Sequence, residues 1–161
     1  MKHIAPLLLL LLALCAGCDR KVFFSDDQRV DERGWSLEDK LYYDVEVTDL
    51  HQLYTFYIDL RIANDYPYDR AFFFINTTFP DGSIAADTLG CPLAAPDGQW
   101  YGKRSGGYVD NRYIFKPAVR FPMQGKYRFE VQHAMRDTAI HGVKNVGLRI
   151  EKAASLSAAM K

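Results

Sequence analysis

Apolar and polar side chains alternate strictly from Tyr54 to Ile62. A β-strand places successive side chains on opposite faces, so a period of two predicts a strand with one face in a core and the other in water. The predicted inward positions are Tyr54, Phe56, Ile58, Leu60 and Ile62. An amphipathic helix needs apolar residues every three to four positions, and no sustained run after residue 18 has that spacing. The pattern therefore predicts an all-β chain.

The same alternation recurs in GKYRFEVQH and VGLRIEK. The runs KLYYDVEV, AFFFINTTF and NRYIFKPAVRF are rich in aromatic and β-branched residues and predict further strands. AFFFI lacks alternation, which predicts a strand covered on both faces. Turn residues separate these runs at 64–67, 80–83 and 96–98. About seven strands with spaced turns predict an antiparallel β-sandwich. Residues 134–145 fit either a loop or a short helix.

An uncharged apolar run, residues 4–14, follows Lys2 and His3 at the start of the chain. As a helix it would be about 16 Å long, whereas a bilayer core is about 30 Å thick. This length, with its basic flank, is typical of a signal peptide. The run leads into Ala16-Gly17-Cys18, which resembles a bacterial lipobox. In such a site the Gly–Cys bond is cut and the cysteine sulfur carries a diacylglycerol.

Cys18 is the predicted lipidation site because small residues precede it, whereas the bulky Leu14 precedes Cys15. The alternative is an ordinary secretory signal with an unrelated cysteine. A lipid-bearing Cys18 leaves Cys91 without an intramolecular disulfide partner, and we expect Cys91 to be a small buried side chain. The covalent acyl lipid on Cys18 would serve as the membrane anchor, and we expect no other cofactor.

These assignments divide the chain into four parts. They are the signal peptide (1–17), the lipidated N-terminus and tether (18–36), the β-sandwich (37–153) and a flexible tail (154–161). Within the predicted tether, the apolar Val22, Phe23 and Phe24 fit either docking at a lipid surface or an edge strand.

The charge balance excludes some classes of partner. Removal of residues 1–17 takes only Lys2 from the 20 basic residues and none of the 20 acidic ones, which leaves a net charge of −1. A nearly neutral chain gives no electrostatic basis for binding nucleic acid or a polybasic contact with anionic lipid. We therefore expect the lipid to be the anchor. With the lipobox, this predicts a protein of the cell envelope; the outer membrane is favoured, and both a periplasm-facing and a surface-exposed position stay open.

Motifs that carry chemistry are absent from the sequence after residue 18. It has no G-x-S-x-G, no H-E-x-x-H and no C-x-x-C. The remaining histidines, His51, His133 and His141, lack the spacing of zinc ligands. We predict no catalytic residue and no metal ligand. Paired carboxylates of glycosidases meet in space rather than in sequence, so that arrangement stays open.

The segment DGQWYGKRSGGYVDNRY, residues 97–113, combines aromatic residues with glycines and a basic pair. Aromatic rings on such a loop could stack on a sugar or anchor a partner protein. The candidate contact residues are Trp100, Tyr101, Tyr108 and Tyr113. The alternative is that Trp100 fills the core and the glycines form a long hairpin.

A succession of short segments runs through nearly the whole chain after the signal peptide. They are Cys18 itself, Arg61 followed by Asp65-Tyr66-Pro67-Tyr68, Asp87-Thr88-Leu89, Gly98-Gln99-Trp100-Tyr101-Gly102, Gly125-Lys126-Tyr127, Met135-Arg136 and Val146-Gly147-Leu148-Arg149-Ile150. In order and spacing they resemble the gliding-motility lipoprotein GldH family of Bacteroidota.

This resemblance implies a non-enzymatic envelope lipoprotein, an accessory component of gliding motility and of the type IX secretion machinery. It also implies other envelope proteins as partners, and it transfers only one residue role, the lipidation of Cys18. A glycan-binding envelope lipoprotein that uses the aromatic loop 97–113 is the alternative. An envelope hydrolase is a third interpretation, which would need a cleft that gathers carboxylates or histidines.

Overall fold

The computed structural model describes residues 21–31 and 34–153, and the regular elements within these ranges are all β-strands. The strands are β1 (Val22–Arg29), β2 (Trp35–Ser36), β3 (Leu41–Val47), β4 (Tyr54–Ala63), β5 (Arg70–Thr78), β6 (Ile84–Pro92), β7 (Lys103–Ser105), β8 (Tyr108–Val119), β9 (Gly125–His133), β10 (Ala139–Ile140) and β11 (Val143–Lys152). Across these described ranges, no helix is long and apolar enough to cross a membrane.

Two antiparallel sheets form the fold. One has five strands in the order β1-β11-β4-β8-β7, and the other has four in the order β3-β9-β5-β6. The short strands β2 and β10 pair separately. Residues 134–145 contain β10 and the start of β11 and no helix. The all-β sandwich predicted from the sequence is confirmed.

The core lies between the two sheets. The alternation of β4 is realised as predicted, with every second residue from Tyr54 to Ile62 buried. Phe56 of the five-stranded sheet meets Phe129 of the four-stranded sheet, with ring centroids 5.7 Å apart. The Tyr43 hydroxyl of β3 donates to the Val146 carbonyl of β11 at 2.8 Å, so this buried polar group has a partner.

The folded domain includes residues that the sequence assigned to the tether. Residues 22–29 form β1, the edge strand paired with β11, and Phe23 packs on Tyr54 with ring centroids 4.8 Å apart. Trp35 is only 1% exposed. The edge-strand alternative for Val22–Phe24 is therefore the observed one. The predicted signal peptide, Cys18 and the tail 154–161 lie outside the described residues.

The expectation that AFFFI is covered on both faces is wrong. Phe73 is buried, whereas Phe72 and Phe74 point outward from the four-stranded sheet and are 38% and 47% exposed. The edge strands of this sheet are β3 and β6, and β6 pairs only with β5. On the inward side of β6, Asp87 forms an ion pair with Lys116 of β8 at 2.8 Å.

The two ends of the sandwich differ in what they carry. We call the end where β1 and β4 begin the proximal end, and the opposite end the distal end. The first and last described residues are neighbours at the proximal end, where the Lys152 N–H donates to the Lys21 carbonyl at 2.7 Å. The proximal loops are 48–53, 79–83 and 120–124, and the distal loops are 64–69, 93–102, 106–107 and 134–138.

Candidate functional site

A polar groove of about 360 Å³ lies on the outer face of the five-stranded sheet. It is lined by Asp27, Asp59, Leu60, Arg61, Asp110, Asn111, Arg112 and Asn145. Gly147 lies in the strand register directly between Asp27 and Asp59. A Cβ atom there would lie 3.1 Å from both the Asp26 carbonyl oxygen and Asp27 Oδ1, so the glycine leaves room for the carboxylate.

Two neighbouring ion pairs between β4 and β8, with the acid on opposite strands, define the groove. Arg61 is opposite Asp110 in the β4–β8 register, and Asp59 is opposite Arg112. Arg61 donates from Nε at 2.7 Å and from Nη2 at 3.0 Å to the two carboxylate oxygens of Asp110. Arg112 donates in the same way to Asp59 at 2.6 and 2.9 Å. These bidentate contacts are charge-assisted and geometrically specific.

The hydrogen bonds of these pairs stabilise the charged guanidinium groups. They raise the pKa of Arg61 through the contact with Asp110, and the pKa of Arg112 through the contact with Asp59. Because the arginine donors already face carboxylates, neither guanidinium is a free cationic site, and the three aspartates that line the groove outnumber its two arginines by one.

Asp27 differs from the other carboxylates of the groove. Partial burial, supported by the nearby charge of Asp59, raises its pKa above the usual 3.8. A hydrogen bond from Asn145 Nδ2 to Asp27 Oδ2, 2.7 Å long, opposes this shift. Asp27 is thus an acceptor held in place by a neutral amide rather than by an arginine fork.

Aromatic rings lie beside both arginines of the groove. The Arg61 guanidinium carbon is 5.7 Å from the centroid of the Tyr108 ring, and that of Arg112 is 5.7 Å from the Tyr57 ring. Cation–π contacts of this length further fix the guanidinium groups. The face combines ordered hydrogen-bonding groups with tyrosine rings, which suits a polar ligand or a polar protein surface.

No serine, cysteine, lysine or histidine lines the groove, so the side chains there that belong to a nucleophilic class are the carboxylates of Asp27, Asp59 and Asp110. In the described ranges, no group of three or more His, Cys, Asp or Glu residues could hold a metal ion.

The structure separates the four aromatic residues predicted as contacts. Trp100 is half-buried against the core, whereas Tyr101 is 61% exposed at the distal end. Tyr113 is half-buried, and its hydroxyl donates to the Pro92 carbonyl at 2.5 Å. Only Tyr108 lies beside the groove. The segment therefore forms no single stacking platform.

The sequence contains a signal for the groove that pattern reading missed. The tripeptides DLR at 59–61 and DNR at 110–112 each place an acid and a base two residues apart, on the same face of a strand. Antiparallel pairing of two such strands brings each arginine opposite an aspartate. The register that does so is set by the whole sandwich and is not readable from either tripeptide.

Other reactive side chains are buried. Cys91 is fully buried, as expected, and burial raises the pKa of its thiol to about 12. His133 is also fully buried and packs against Trp35, with ring centroids 5.3 Å apart. Burial lowers the pKa of His133, and weaker contributions from the Trp35 backbone and Asp137 oppose this shift.

Comparison with solved structures gives only distant likenesses. A family GH115 4-O-methyl-α-glucuronidase aligns with a TM-score of 0.41 and 9% identity, over 85% of this chain and 18% of that chain. Dimeric latent PorU from Porphyromonas gingivalis aligns with a TM-score of 0.35 and 8% identity, over 85% of this chain and 14% of that chain. Neither likeness bears on the function.

Sequence relatives are much closer. The gliding motility lipoprotein GldH homolog of Christiangramia forsetii is 29% identical over 148 residues, 88% of this chain and 90% of that protein. The gliding motility lipoprotein GldH of Flavobacterium johnsoniae is 29% identical over 153 residues, 91% of this chain and 94% of that protein. The family model described as GldH lipoprotein matches residues 22–150. This range begins with the first residue of β1 and ends two residues before the end of β11. The chain therefore belongs to the GldH lipoprotein family.

Proposed function

We propose that this protein is a non-enzymatic lipoprotein of the cell envelope, anchored by an acyl lipid on Cys18, and an accessory component of gliding motility and type IX secretion. The observation that carries the proposal is the family match over residues 22–150. This range covers nearly the entire sandwich, so the match concerns the folded domain and not merely an export signal. The outer membrane is the proposed location.

The charge arrangement of the groove supports a binding role over catalysis. General acid–base catalysis needs one group that gives up a proton and another that takes it near neutral pH. Asp59 and Asp110 each already accept two hydrogen bonds from an arginine. Asp27 accepts from the neutral amide of Asn145 and has a raised pKa, and no further carboxylate outside the two arginine pairs lines the groove.

The proposed partners are other envelope proteins, and the five-stranded face is the proposed contact surface. Its ion pairs are partly exposed, with side-chain exposures of 43% for Arg61 and 41% for Asp110. Ordered charges of alternating sign on an open surface select a partner of complementary pattern and disfavour others.

The central experiment is deletion of the gene in the source organism, with type IX cargo quantified at the cell surface. We expect cargo to fall on deletion and to return with the intact gene. A Cys18→Ala copy should fail to restore it if the lipid anchor is required. Normal cargo and normal gliding after deletion would contradict the proposal.

A charge-swapped pair tests the contact face while keeping the fold. In Arg61→Asp/Asp110→Arg the ion pair is retained with its direction reversed, so we expect a folded protein that does not restore cargo delivery. The matched control is Asp44→Arg/Arg128→Asp, which reverses a bidentate pair of 2.7 and 2.9 Å on the four-stranded sheet. The control should restore delivery. Equal behaviour of the two swaps would argue against the five-stranded face as the partner surface.

Glycan binding is the second candidate function. The exposed ring of Tyr101 and the position of Tyr108 beside the groove favour it, since sugars bind to aromatic faces flanked by hydrogen-bonding groups. A glycan array probed with residues 19–161 tests it. Binding that is lost in Tyr108→Ala but kept in Tyr101→Ala would assign the sugar to the groove, and an array without binding would remove this candidate.

A further inference from the structure

The folded domain begins unusually close to the proposed lipid site. Strand β1 starts at Val22, and only Asp19, Arg20 and Lys21 separate it from Cys18. A chain of this length spans at most about 14 Å, at 3.3–3.6 Å per residue. A diacylglycerol on Cys18 would therefore hold the start of β1 next to the lipid headgroups. This step rests on the proposed lipidation.

The start of β1 is part of a continuous surface at the proximal end. The Ala153 N–H donates to the Leu53 carbonyl at 2.8 Å, which joins the end of the described chain to loop 48–53. Gln124 Nε2 donates to the Thr48 carbonyl at 2.7 Å, and this contact joins loops 48–53 and 120–124. We define the proximal surface as these two loops, loop 79–83 and the adjoining ends of β1, β3, β6, β9 and β11.

The proximal surface has mixed chemistry. Its apolar part includes Ile84, which is 68% exposed. Its charged side chains are of both signs in nearly equal number. The basic ones are Lys21, Arg120, Lys126 and Lys152, and the acidic ones are Glu46, Asp49 and Asp81. This balance gives little intrinsic attraction to lipid headgroups. A short covalent link, in contrast, creates an effective concentration in the millimolar range or above, without requiring intrinsic affinity.

We propose that the proximal surface rests on the lipid headgroups and that the sandwich stands on this end. The groove is then held away from the bilayer. Asp27 lies about 17 Å along β1 from Val22, at 3.3 Å per residue. The distal loops, with Tyr101, are farther still. The domain presents its polar face and its distal end to partners, and the short link imposes this orientation.

Two other orientations are less favourable. If the domain lay on the five-stranded face, the ion pairs of Arg61 and Arg112 would lose water, which is costly for charged groups. The domain could also lie on the four-stranded face, with Phe72 and Phe74 at the bilayer. The segment between Cys18 and β1 would then have to reach the bilayer past the four-stranded sheet, because β1 belongs to the five-stranded sheet. Packed sheets are about 10 Å apart, and outward side chains add several ångströms, so nearly the whole link would be used.

The test uses lysines that the chain already provides. Residues 18–161 are coupled through Cys18 to a maleimide phospholipid in phosphatidylcholine vesicles, and the fully buried Cys91 is shielded from the reagent. Acetylation of lysines is then compared by mass spectrometry with that of the uncoupled protein. Lys126 at the proximal end and Lys40 at the distal end are a matched pair, because each forms an ion pair of 3.0 Å, with Asp44 and Glu130 respectively.

We expect acetylation of Lys126 and Lys152 to fall at least threefold on coupling, while Lys40 and Lys103 stay unchanged. Protection of Lys40 together with Lys126 would mean that the four-stranded face lies on the bilayer, and would overturn the proposal. Unchanged acetylation of all four lysines would overturn it as well.

A longer link tests whether the tether imposes the orientation. A twelve-residue Gly-Ser insertion between Arg20 and Lys21 should abolish the protection of Lys126 and Lys152 while coupling persists. The same insertion between Gly106 and Gly107, at the distal end, should leave the protection intact. Protection that survives the longer link would show an intrinsic affinity for lipid and would contradict the role given to the link.

The vesicle experiment is separable from the proposed function, because chemical coupling replaces the lipid added in the cell. Mass spectrometry of the protein from its source organism reports whether Cys18 carries a lipid there. An unmodified Cys18 would remove the anchor and with it the inference for the cell. If Cys18 is lipidated but coupling to vesicles protects the distal lysines Lys40 and Lys103 from acetylation, only the proposed orientation would be overturned.

Discussion

Arg61 and Asp110 lie directly opposite each other on β4 and β8 and share two hydrogen bonds, of 2.7 and 3.0 Å. The pair organises the polar groove, yet both side chains are more than one third exposed. Exposed ion pairs add about 0.2–1 kcal/mol to stability, because solvent screens them. Their geometry therefore matters more for recognition than for folding.

A double-mutant cycle on this pair should give a small coupling energy. We expect Arg61→Ala and Asp110→Ala, singly and together, to yield a coupling of about 0.2–1 kcal/mol in the free energy of unfolding. Urea denaturation measures it. A coupling well above that range would show that the groove is part of the stabilising framework of the domain, contrary to the binding role proposed for it.

Gly147→Ala should destabilise the protein by about 1–3 kcal/mol, the usual cost of overpacking a filled site. The new methyl group would press on the Asp26 carbonyl and on Asp27 Oδ1, each 3.1 Å away, and would push β1 from β11. Gly107→Ala is the control, since nothing lies within 4 Å of its Cβ position, and it should change stability by less than about 0.5 kcal/mol. Urea denaturation of both variants decides, and equal effects would contradict the argument.

Removal of residues 22–36 should prevent folding. Trp35 is 1% exposed, stacks near Phe73 with ring centroids 6.0 Å apart, and donates from Nε1 to the Asp39 carbonyl at 2.5 Å. A chain that begins at Leu37 should lack a cooperative unfolding transition in circular dichroism, whereas one that begins at Lys21 should retain it. Trp35→Ala alone should cost about 3–5 kcal/mol. Cooperative unfolding of the shorter chain would restore the tether assignment.

Stability should decline as the pH falls below about 6.5, because of His133. Burial lowers its pKa in the folded state below the ordinary 6.5. Below pH 6.5 the unfolded chain therefore binds a proton that the folded chain rejects, and the free energy of unfolding falls with pH until the folded pKa is reached. Above pH 6.5 both states are neutral and the effect vanishes.

The matched measurement compares the wild-type protein with His133→Phe in urea at pH 7.5 and pH 5.5. The wild-type protein should lose more stability on acidification than the variant. The exposed His51 and His141 are present in both proteins, so they cancel in the difference. The same loss in both proteins would assign the pH dependence to other groups.

The Cys91 thiol should react with a disulfide reagent only when the protein unfolds. Cys91 is fully buried, and its pKa is raised to about 12. In the folded protein the reagent therefore cannot reach the sulfur, and the reactive thiolate is scarcely populated. Residues 19–161 should show slow labelling at pH 8 that accelerates in urea in step with unfolding. Rapid labelling under native conditions would reveal local opening near the end of β6.

Some of the fold could be predicted because the physical cause is local. The alternation from Tyr54 to Ile62 reports a strand with one buried face, whatever its neighbours are, and it was confirmed. Strand β1 was harder, because VFFSDDQR alternates poorly and its acidic residues are typical of a linker. Its partner β11 is at the other end of the chain, so only the tertiary structure reveals the pairing.

The candidate site was less predictable than the fold. The composition of the aromatic segment 97–113 predicts contact residues, but the side chains of Trp100 and Tyr113 pack largely against the core. The groove is assembled from β1, β4, β8 and β11, and ordinary surface charges become a patterned site only when the register aligns them. A repeated D-x-R motif indicates such pairs but cannot give the register.

The ion pair between Asp87 and Lys116 has a consequence for how copies of this protein interact at high local concentration. Asp87 points inward from β6, one of the two edge strands of the four-stranded sheet. A foreign strand that added to this edge would have to bury its own side chains beside a carboxylate, and two copies joined edge to edge around it would bring two such carboxylates together. An inward charge of this kind is a known protection against edge-to-edge aggregation. Copies held at high density on one surface are thereby hindered from joining through β6.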